Sequence, residues 1–306
     1  MNTTQKILIV MVGLPGSGKS TKAIELAEEY EAKIFSSDSY REKLLGNASD
    51  QTNNSKVFDT LYKDLCQEIL TGNCILDATN CTYKSRQQVL SRVKNIKCLK
   101  VAYVMTTSID DCIDRDIKRD RTVGKDVVMK FVHSYQLPQY FEGFDRILFD
   151  NDPYEKYDPY KAIDMASQMI MMDQKNPHHV NDLYTHSIML SEQFAGDDPR
   201  FLAGKWHDLG KMFTQSFDDD GVAHYICHAN YSTYYLLTHC DLLNVNSKTK
   251  FLDVMFYINE HMHIRDIIKS DKALEKYAKL YSRERLNKLL EFMEADNRAS
   301  KLETLD

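Results

Sequence analysis

No C-x-x-C pair occurs among the seven cysteines of the chain (Cys66, Cys74, Cys81, Cys98, Cys112, Cys227 and Cys240). That spacing argues against a zinc knuckle or a dithiol redox motif. No secretory leader precedes the cysteines, so they are expected to be reduced and the protein cytoplasmic. The apolar run near the N-terminus, "ILIVMVGL", is far too short to span a bilayer, which argues against a membrane role. Internal repeats and low-complexity tracts are also missing. Positive charge is not in excess: the formal net charge of −6 argues against coating nucleic acid through a uniform basic surface. Local basic clefts stay open, because "DRDIKRDRTVGKD" gathers Arg115, Lys118, Arg119, Arg121 and Lys125, although the same pattern reads as a solvated helix face.

What remains is a folded chain of 306 residues, 43% hydrophobic and 27% charged, long enough for two ordinary domains. The runs "KILIVMV", "NCILDAT" and "LKVAYVMT" read as buried strands of a parallel sheet, separated by amphipathic stretches such as "VFDTLYKDLCQEIL", and "AKIFS" reads as a short strand. This alternation predicts an α/β domain over residues 1–155. Turn-forming Asp, Asn and Pro residues around 150–159 mark a boundary, and the region 160–306 is almost wholly helical in periodicity. "FAGDDP" and "SFDDDGVAHY" interrupt it, the latter as a short hairpin or loop. Nine of the ten histidines lie in this second region, including His178 and His179, which raises the expectation of a metal site there.

Gly13-Leu-Pro-Gly-Ser-Gly-Lys19-Ser20 matches G-x-x-x-x-G-K-[ST] without a departure and lies between a predicted strand and a predicted helix. Gly13, Gly16, Ser17 and Gly18 would let backbone N–H groups surround phosphate oxygens. Lys19 would add charge near the β and γ phosphates, Ser20 would ligate Mg²⁺, and Thr21 is expected to bind the nucleotide beside them. ATP or another NTP with Mg²⁺ is therefore the expected ligand. Asp38 and Arg41 in "SSDSYR", and Asp77 in "LDATN", fall at the carboxyl edge of the same sheet. A carboxylate there can accept a hydroxyl proton during in-line phosphoryl transfer, and an arginine can grip a second phosphate. Asp38 also reads as a helix N-cap.

The order of P-loop, "D-x-x-R", "DATN" with Arg86 following, and an arginine-rich segment resembles the phage-type 5′-hydroxyl polynucleotide kinase family across most of residues 6–150. The resemblance implies Lys19 and Ser20 as phosphate and Mg²⁺ residues and Asp38 as general base. It further implies Arg41 as clamp on the acceptor phosphate, Asp77 as the aspartate of the family's "D-T-N" motif, and Arg115 and Arg119 as lid arginines over the ATP phosphates. Arg121 is a neighbour open to either role.

In the second region "WHDLGK" sets His207 beside Asp208 at the end of a predicted helix, where imidazole and carboxylate can bind one cation, though such a dipeptide is also a common surface pair. His186 in "HHVNDLYTHSIML" and Asp296 in "FMEADNRASK" complete the order H…HD…D, which resembles the HD phosphohydrolase superfamily. By that resemblance His186, His207, Asp208 and Asp296 are metal ligands and Lys211 steadies a phosphate. The passage "FDDDGVAHYICHANYS" resembles the HD module of bacterial tRNA nucleotidyltransferases, which marks His228, and less strongly His224 and His261, for substrate contact or a second metal. Each of the three is equally a satisfied polar residue of the core. Mixed nitrogen and oxygen donors suit Mn²⁺, Ni²⁺, Co²⁺, Fe²⁺ or Zn²⁺.

An α/β P-loop kinase domain followed by an all-α HD domain is similar to the bifunctional enzymes that heal broken nucleic-acid ends, although the bacterial fusions place the HD module first. That resemblance implies phosphorylation of 5′-hydroxyl ends and removal of 2′,3′-cyclic, 2′- or 3′-phosphates on RNA, nicked tRNA among them, or on DNA, with a separate ligase acting downstream. A nucleoside or nucleotide kinase fused to a nucleotidase is the alternative. A third reading is a binding module in which the P-loop senses ATP and the HD half is a scaffold.

Overall fold

The computed structural model describes residues 5–119, 121–154, 156–175 and 181–300. His178 and His179 lie outside the described residues. The chain divides into two compact units, one of residues 1–131 and 138–152, the other of residues 132–137 and 153–306. Residues 132–137, placed with the α/β half in the sequence reading, thus group with the helical half.

The first unit runs β1 (Lys6–Val12), α1 (Lys19–Tyr30), β2 (Ala32–Ser36), α2 (Ser37–Leu45), α3 (Asn54–Glu68), β3 (Asn73–Asp77), α4 (Tyr83–Arg92), β4 (Cys98–Val104), α5 (Ile109–Ile117), α6 (Lys125–Val132) and β5 (Arg146–Phe149). All five strands are parallel, in the order β2-β3-β1-β4-β5. β1 is central, and its unbroken apolar run is buried from Leu8 to Val12, as expected of a strand covered on both faces. β5, with only four residues, escaped the sequence reading. Helix starts follow local chemistry: the side chains of Asn53 and Ser108 accept from Lys56 N and Asp111 N, and Thr82 and Ser85 form a capping box. The register pairs Ser36 with Asp77, so the residues after β1, β2 and β3 emerge along one edge. This is a parallel α/β fold with the G-x-x-x-x-G-K-S loop between its central strand β1 and α1.

The second unit comprises α7 (Pro159–Met171), α8 (Leu183–Ser191), α9 (Pro199–Trp206), α10 (Lys211–Thr214), β6 (Gln215–Phe217), β7 (Ala223–Tyr225), α11 (His228–Thr238), α12 (Lys248–Glu260), α13 (Ile264–Ile267), α14 (Asp271–Tyr281) and α15 (Arg283–Ala299). The acidic "FDDDG" turn joins β6 and β7 as a short antiparallel hairpin, so the unit is helical with one small ribbon. Asp158 and Asp198 cap α7 and α9, each with proline at the first helical position, and Asp182 caps α8. α9 packs against α8 and α12, and Trp206, Phe251 and Phe292 are among the large fully buried side chains of the unit. Among the described residues no disulfide forms, and no helix is long and apolar enough to cross a membrane.

Candidate functional site

The P-loop is shaped by two glycines in the left-handed region, Gly16 (φ 81°) and Gly18 (φ 88°). A Cβ on Gly16 would lie 2.1 Å from the Cys112 carbonyl oxygen, so α5 closes on the loop as only glycine permits. Gly13 N–H donates to the Thr79 carbonyl, and Thr107 Oγ1 to that of Ser17, tying the loop to the ends of β3 and β4. Lys19 is buried, which lowers its pKa, and its Nζ donates to the Leu14 carbonyl at 2.6 Å. Ser20 Oγ donates to Asp77 Oδ2 at 2.8 Å. Burial raises the pKa of Asp77 against the pull of Ser20 and Lys19. This adjoining hydroxyl and carboxylate are hard oxygen donors of the kind Mg²⁺ takes. Thr21 is exposed on the first turn of α1.

Asp38 sits in the first turn of α2, two residues after the N-cap Ser36, so the cap reading does not hold. Its Oδ1 accepts from Arg41 at 2.8 Å and its Oδ2 from Arg121 at 2.9 Å. Arg41 is buried and donates from Nε and Nη2 to Asn54 Oδ1 at the start of α3. Arg115 projects from α5 toward the P-loop: a Cβ on Gly18 would lie 3.6 Å from its Nη1. Arg119 is ion-paired with Asp116, whose Oδ2 also accepts the Val123 and Gly124 N–H groups at 2.9 Å, so the basic segment after α5 is folded back on that carboxylate. Arg86 is wholly buried in a two-pronged pair with Glu142, at 2.6 and 2.7 Å, and its Nη1 donates to the Asn80 carbonyl. Its place is in the scaffold under the "DATN" loop.

In the second unit His186 from α8, His207 and Asp208 from the end of α9, and Asp296 from α15 converge. His186 Nε2 lies 3.4 Å from His207 Nε2, 3.6 Å from Asp208 Oδ2 and 3.1 Å from Asp296 Oδ1. His207 Nε2 lies 3.3 Å from Asp208 Oδ2 and 3.6 Å from Asp296 Oδ1. The other oxygen, Asp208 Oδ1, lies 3.0 Å from His228 Nε2 at the start of α11 and 3.6 Å from His261 Nε2 at the end of α12. Asp208 therefore joins two buried ligand sets, His186–His207–Asp208 and Asp208–His228–His261, each with donor atoms within 4.8 Å of one another. Backbone carbonyls of Gly204, Tyr225 and Ile258 hold Nδ1 of His207, His228 and His261, which aims each Nε2 inward.

The field in this cage favours positive charge. Burial opposes protonation of His207, yet Asp208 and Asp296 raise its pKa to about 10. Burial likewise opposes ionisation of the two carboxyls, yet His207 and Lys211 hold Asp208, and His186 and His207 hold Asp296, well below the usual range. Burial lowers His261 to about 4. A buried cage of imidazoles and carboxylates with this bias suits a transition-metal cation. Lys211 Nζ is 2.7 Å from Asp208 Oδ2. Gly210 packs the turn against α11, where a Cβ would lie 2.2 Å from the His228 carbonyl oxygen, and Ser232 Oγ accepts from Gly210 N–H and donates to the His207 carbonyl.

His224 stays outside the ligand sets: half-exposed on β7, its Nε2 pairs with Asp218, although it lines a cavity of about 280 Å³ with Ile226, His228 and Met262. Arg265, which no sequence motif marks, donates from Nη2 to Asp296 Oδ2 at 2.7 Å and from Nη1 to Asn297.

Residues 8–138 match the AAA domain family. A curated relative, tRNA dimethylallyltransferase of Helicobacter pylori, is 31% identical over 145 residues; the match covers 35% of this chain and 46% of the relative, so the chain spans under half of that protein's length. A chain of the Pnkp1/Rnl/Hen1 RNA repair complex is similar at 22% identity, covering 44% of this chain and 45% of that one, with a TM-score of 0.39. A putative kinase from Chloroflexus aurantiacus is similar at 14% identity over 56% of this chain and 98% of its own, with a TM-score of 0.40.

Proposed function

We propose that the chain is a bifunctional nucleic-acid end-healing enzyme, an ATP-dependent 5′-hydroxyl kinase joined to an HD-type phosphoesterase that removes 2′,3′-cyclic, 2′- or 3′-phosphates. One observation carries the reading. A chain with a P-loop and Asp38 on one sheet edge also gathers His186, His207, Asp208 and Asp296 into a buried cage. Ends left by ribonucleases, a cyclic phosphate and a 5′-hydroxyl, need both activities before a ligase can join them.

In the kinase unit the acceptor hydroxyl oxygen attacks the γ-phosphorus, the bond to the β–γ bridging oxygen breaks, and ADP departs with that electron pair. Asp38 receives the hydroxyl proton. Lys19 and Arg115 would bind the donor phosphates and Arg41 the acceptor phosphate, and Ser20 and Asp77 would hold Mg²⁺, which supplies positive charge to offset that on the phosphates. In the second unit His186, His207, Asp208 and Asp296, with His228 and His261 beside them, would hold Mn²⁺, Ni²⁺, Co²⁺, Fe²⁺ or Zn²⁺, which supplies Lewis acidity toward the phosphoester. Lys211 pairs with Asp208 and would steady the phosphate.

The test uses the full chain with γ-labelled ATP and a 5′-hydroxyl oligonucleotide, and in parallel a 2′,3′-cyclic-phosphate RNA end with each metal. Lys19→Ala and Asp38→Ala should lose label transfer by at least about 100-fold while hydrolysis persists, and Asp296→Ala should do the reverse. No transfer or no hydrolysis in the natural chain sinks the corresponding half. A mononucleoside 3′-phosphate phosphorylated as efficiently as the oligonucleotide would move the reading to a small-molecule kinase.

A further inference from the structure

His228 belongs to two surroundings of different character. Its Nε2 lies 3.0 Å from Asp208 Oδ1 in the cage, and the same residue lines the neighbouring cavity of about 280 Å³. Two large apolar side chains share that cavity wall, Ile226, 71% exposed, and Met262, 41% exposed. Ile226 stands two residues before His228, and Met262 directly follows His261, so the segments that carry two cage imidazoles also carry both apolar groups. Between Ile226 and His228 the main chain takes the left-handed conformation at Cys227 (φ 62°), which side chains seldom adopt, and there it passes from an exposed residue to a buried one. Tyr225, also on the wall, ties the cavity to the charged end of the site. Its carbonyl holds His228 Nδ1 at 2.7 Å, and Lys211 Nζ lies 5.4 Å from the centroid of its ring. Of the polar side chains on the wall, His224 Nε2 is paired with Asp218, and Asn230 Nδ2 donates to the Tyr135 carbonyl. The cavity therefore offers a ligand chiefly apolar surface and ring faces.

We propose that this cavity is the subsite for the nucleobase of the nucleotide whose phosphate is hydrolysed, and that Ile226 and Met262 are the side chains that grip it. The inference rests on the phosphoesterase reading above. A 2′,3′-cyclic, 2′- or 3′-phosphate is joined to its own base through a single ribose, so a phosphate bound at the cage leaves that base next to it. Nucleobases have apolar faces and polar edges. The faces gain from contact with apolar and aromatic side chains whichever base is present, while the edges keep their hydrogen bonds to water. Exposed singly, Ile226 and Met262 would call for no explanation; on one cavity wall with a cage imidazole they form a binding surface. The volume lies near the lower end of small-molecule pockets, about 300 Å³, and suits one ring system rather than a stretch of strand. Met262, unbranched and adaptable, accommodates purine and pyrimidine alike.

The experiment measures, on the full chain with Mn²⁺, kcat/KM for a nucleoside 2′,3′-cyclic phosphate and for ribose 2′,3′-cyclic phosphate, which has no base. The natural chain should prefer the first by about tenfold or more. Ile226→Ser with Met262→Ser should bring the two within about twofold of each other, through the KM of the base-bearing probe rather than through kcat. Ile226→Leu with Met262→Leu should restore the preference. An oligonucleotide with the same cyclic end should respond to the serine changes as the mononucleotide does, since the subsite takes the terminal base from either source. Mn²⁺ affinity in titration calorimetry should be kept in the serine variant, which separates loss of the base contact from damage to the cage. Equal rates on the two probes in the natural chain, a preference unchanged in the serine variant, or a preference lost only together with Mn²⁺ affinity overturns the proposal. Failure of the natural chain to hydrolyse either probe with any of the metals is a separate result, which removes the phosphoesterase reading and this inference with it.

Discussion

Arg265 holds Oδ2 of Asp296 at 2.7 Å, while Oδ1 of the same carboxylate faces His186 at 3.1 Å. One oxygen is thus committed to the scaffold and the other to the cage. Partners of this kind fix the orientation of a ligand and commonly carry a 10- to 100-fold effect on metal affinity. Arg265→Gln should weaken Mn²⁺ binding by about that factor in titration calorimetry, and Arg265→Lys should recover part of it. Unchanged affinity in the glutamine variant would make Arg265 a bystander.

Asp208 carries the greater burden, because its two oxygens serve different histidine sets. Asp208→Asn should abolish metal binding by calorimetry and reduce cyclic-phosphate hydrolysis to background, with label transfer from ATP retained. It also leaves Lys211 buried beside a neutral amide, and loss of a buried partner costs about 3 kcal/mol. Metal-free Asp208→Asn is therefore expected to unfold at lower denaturant than the metal-free natural chain. A variant that still binds Mn²⁺ at natural affinity would rule out a shared bridging role.

The Arg86–Glu142 pair calls for a comparison of two variants. Glu142→Ala strands a fully buried guanidinium and should cost about 3–5 kcal/mol in equilibrium unfolding. Replacing both members, as Arg86→Met with Glu142→Leu, removes both charges together and should recover most of that loss. Equal destabilisation by the single and double changes would show that packing alone is at stake.

Asp116 supplies a pH dependence. Burial acts to raise its pKa, but the Gly124 and Val123 N–H groups and Arg119 outweigh it and lower the value. A carboxyl whose folded pKa is depressed stabilises the structure above its unfolded pKa, about 3.9, and loses that contribution as pH falls through the folded value. Amide exchange at Val123 and Gly124 should therefore be slow at pH 7, after correction for intrinsic rates, and speed up below about pH 4. Asp116→Asn should exchange quickly at both. Equal protection in the variant would sever this link.

Much of the first unit was legible because its signals are local. The strands β1 to β4 are apolar runs, and the P-loop is a contiguous motif whose glycines answer to backbone geometry. β5 was not, because "RILF" is too short to show a period. Arg86 was noticed for its place after "DATN", but its partner Glu142 lies 56 residues on and no spacing rule connects them. In the second unit the H…HD…D order pointed to four side chains that the structure brings together. His261 was harder to weigh, because α12 is buried on nearly every face and offers no polar stripe against which an inward histidine stands out. Arg265 sits on a four-residue helix, and only the packing of α13 on α15 brings it to Asp296.

At Gly210 the main chain approaches α11 so closely that an added Cβ would meet the His228 carbonyl oxygen at 2.2 Å and the Ser232 nitrogen at 2.8 Å. Since His228 rides on α11 and Asp208 on the opposing turn, the bore of the cage is gauged by that bare approach. Discrimination among cations by ionic radius would then be inherited from a residue that offers no ligand atom, and even a single added methyl there would widen the aperture for every ion at once.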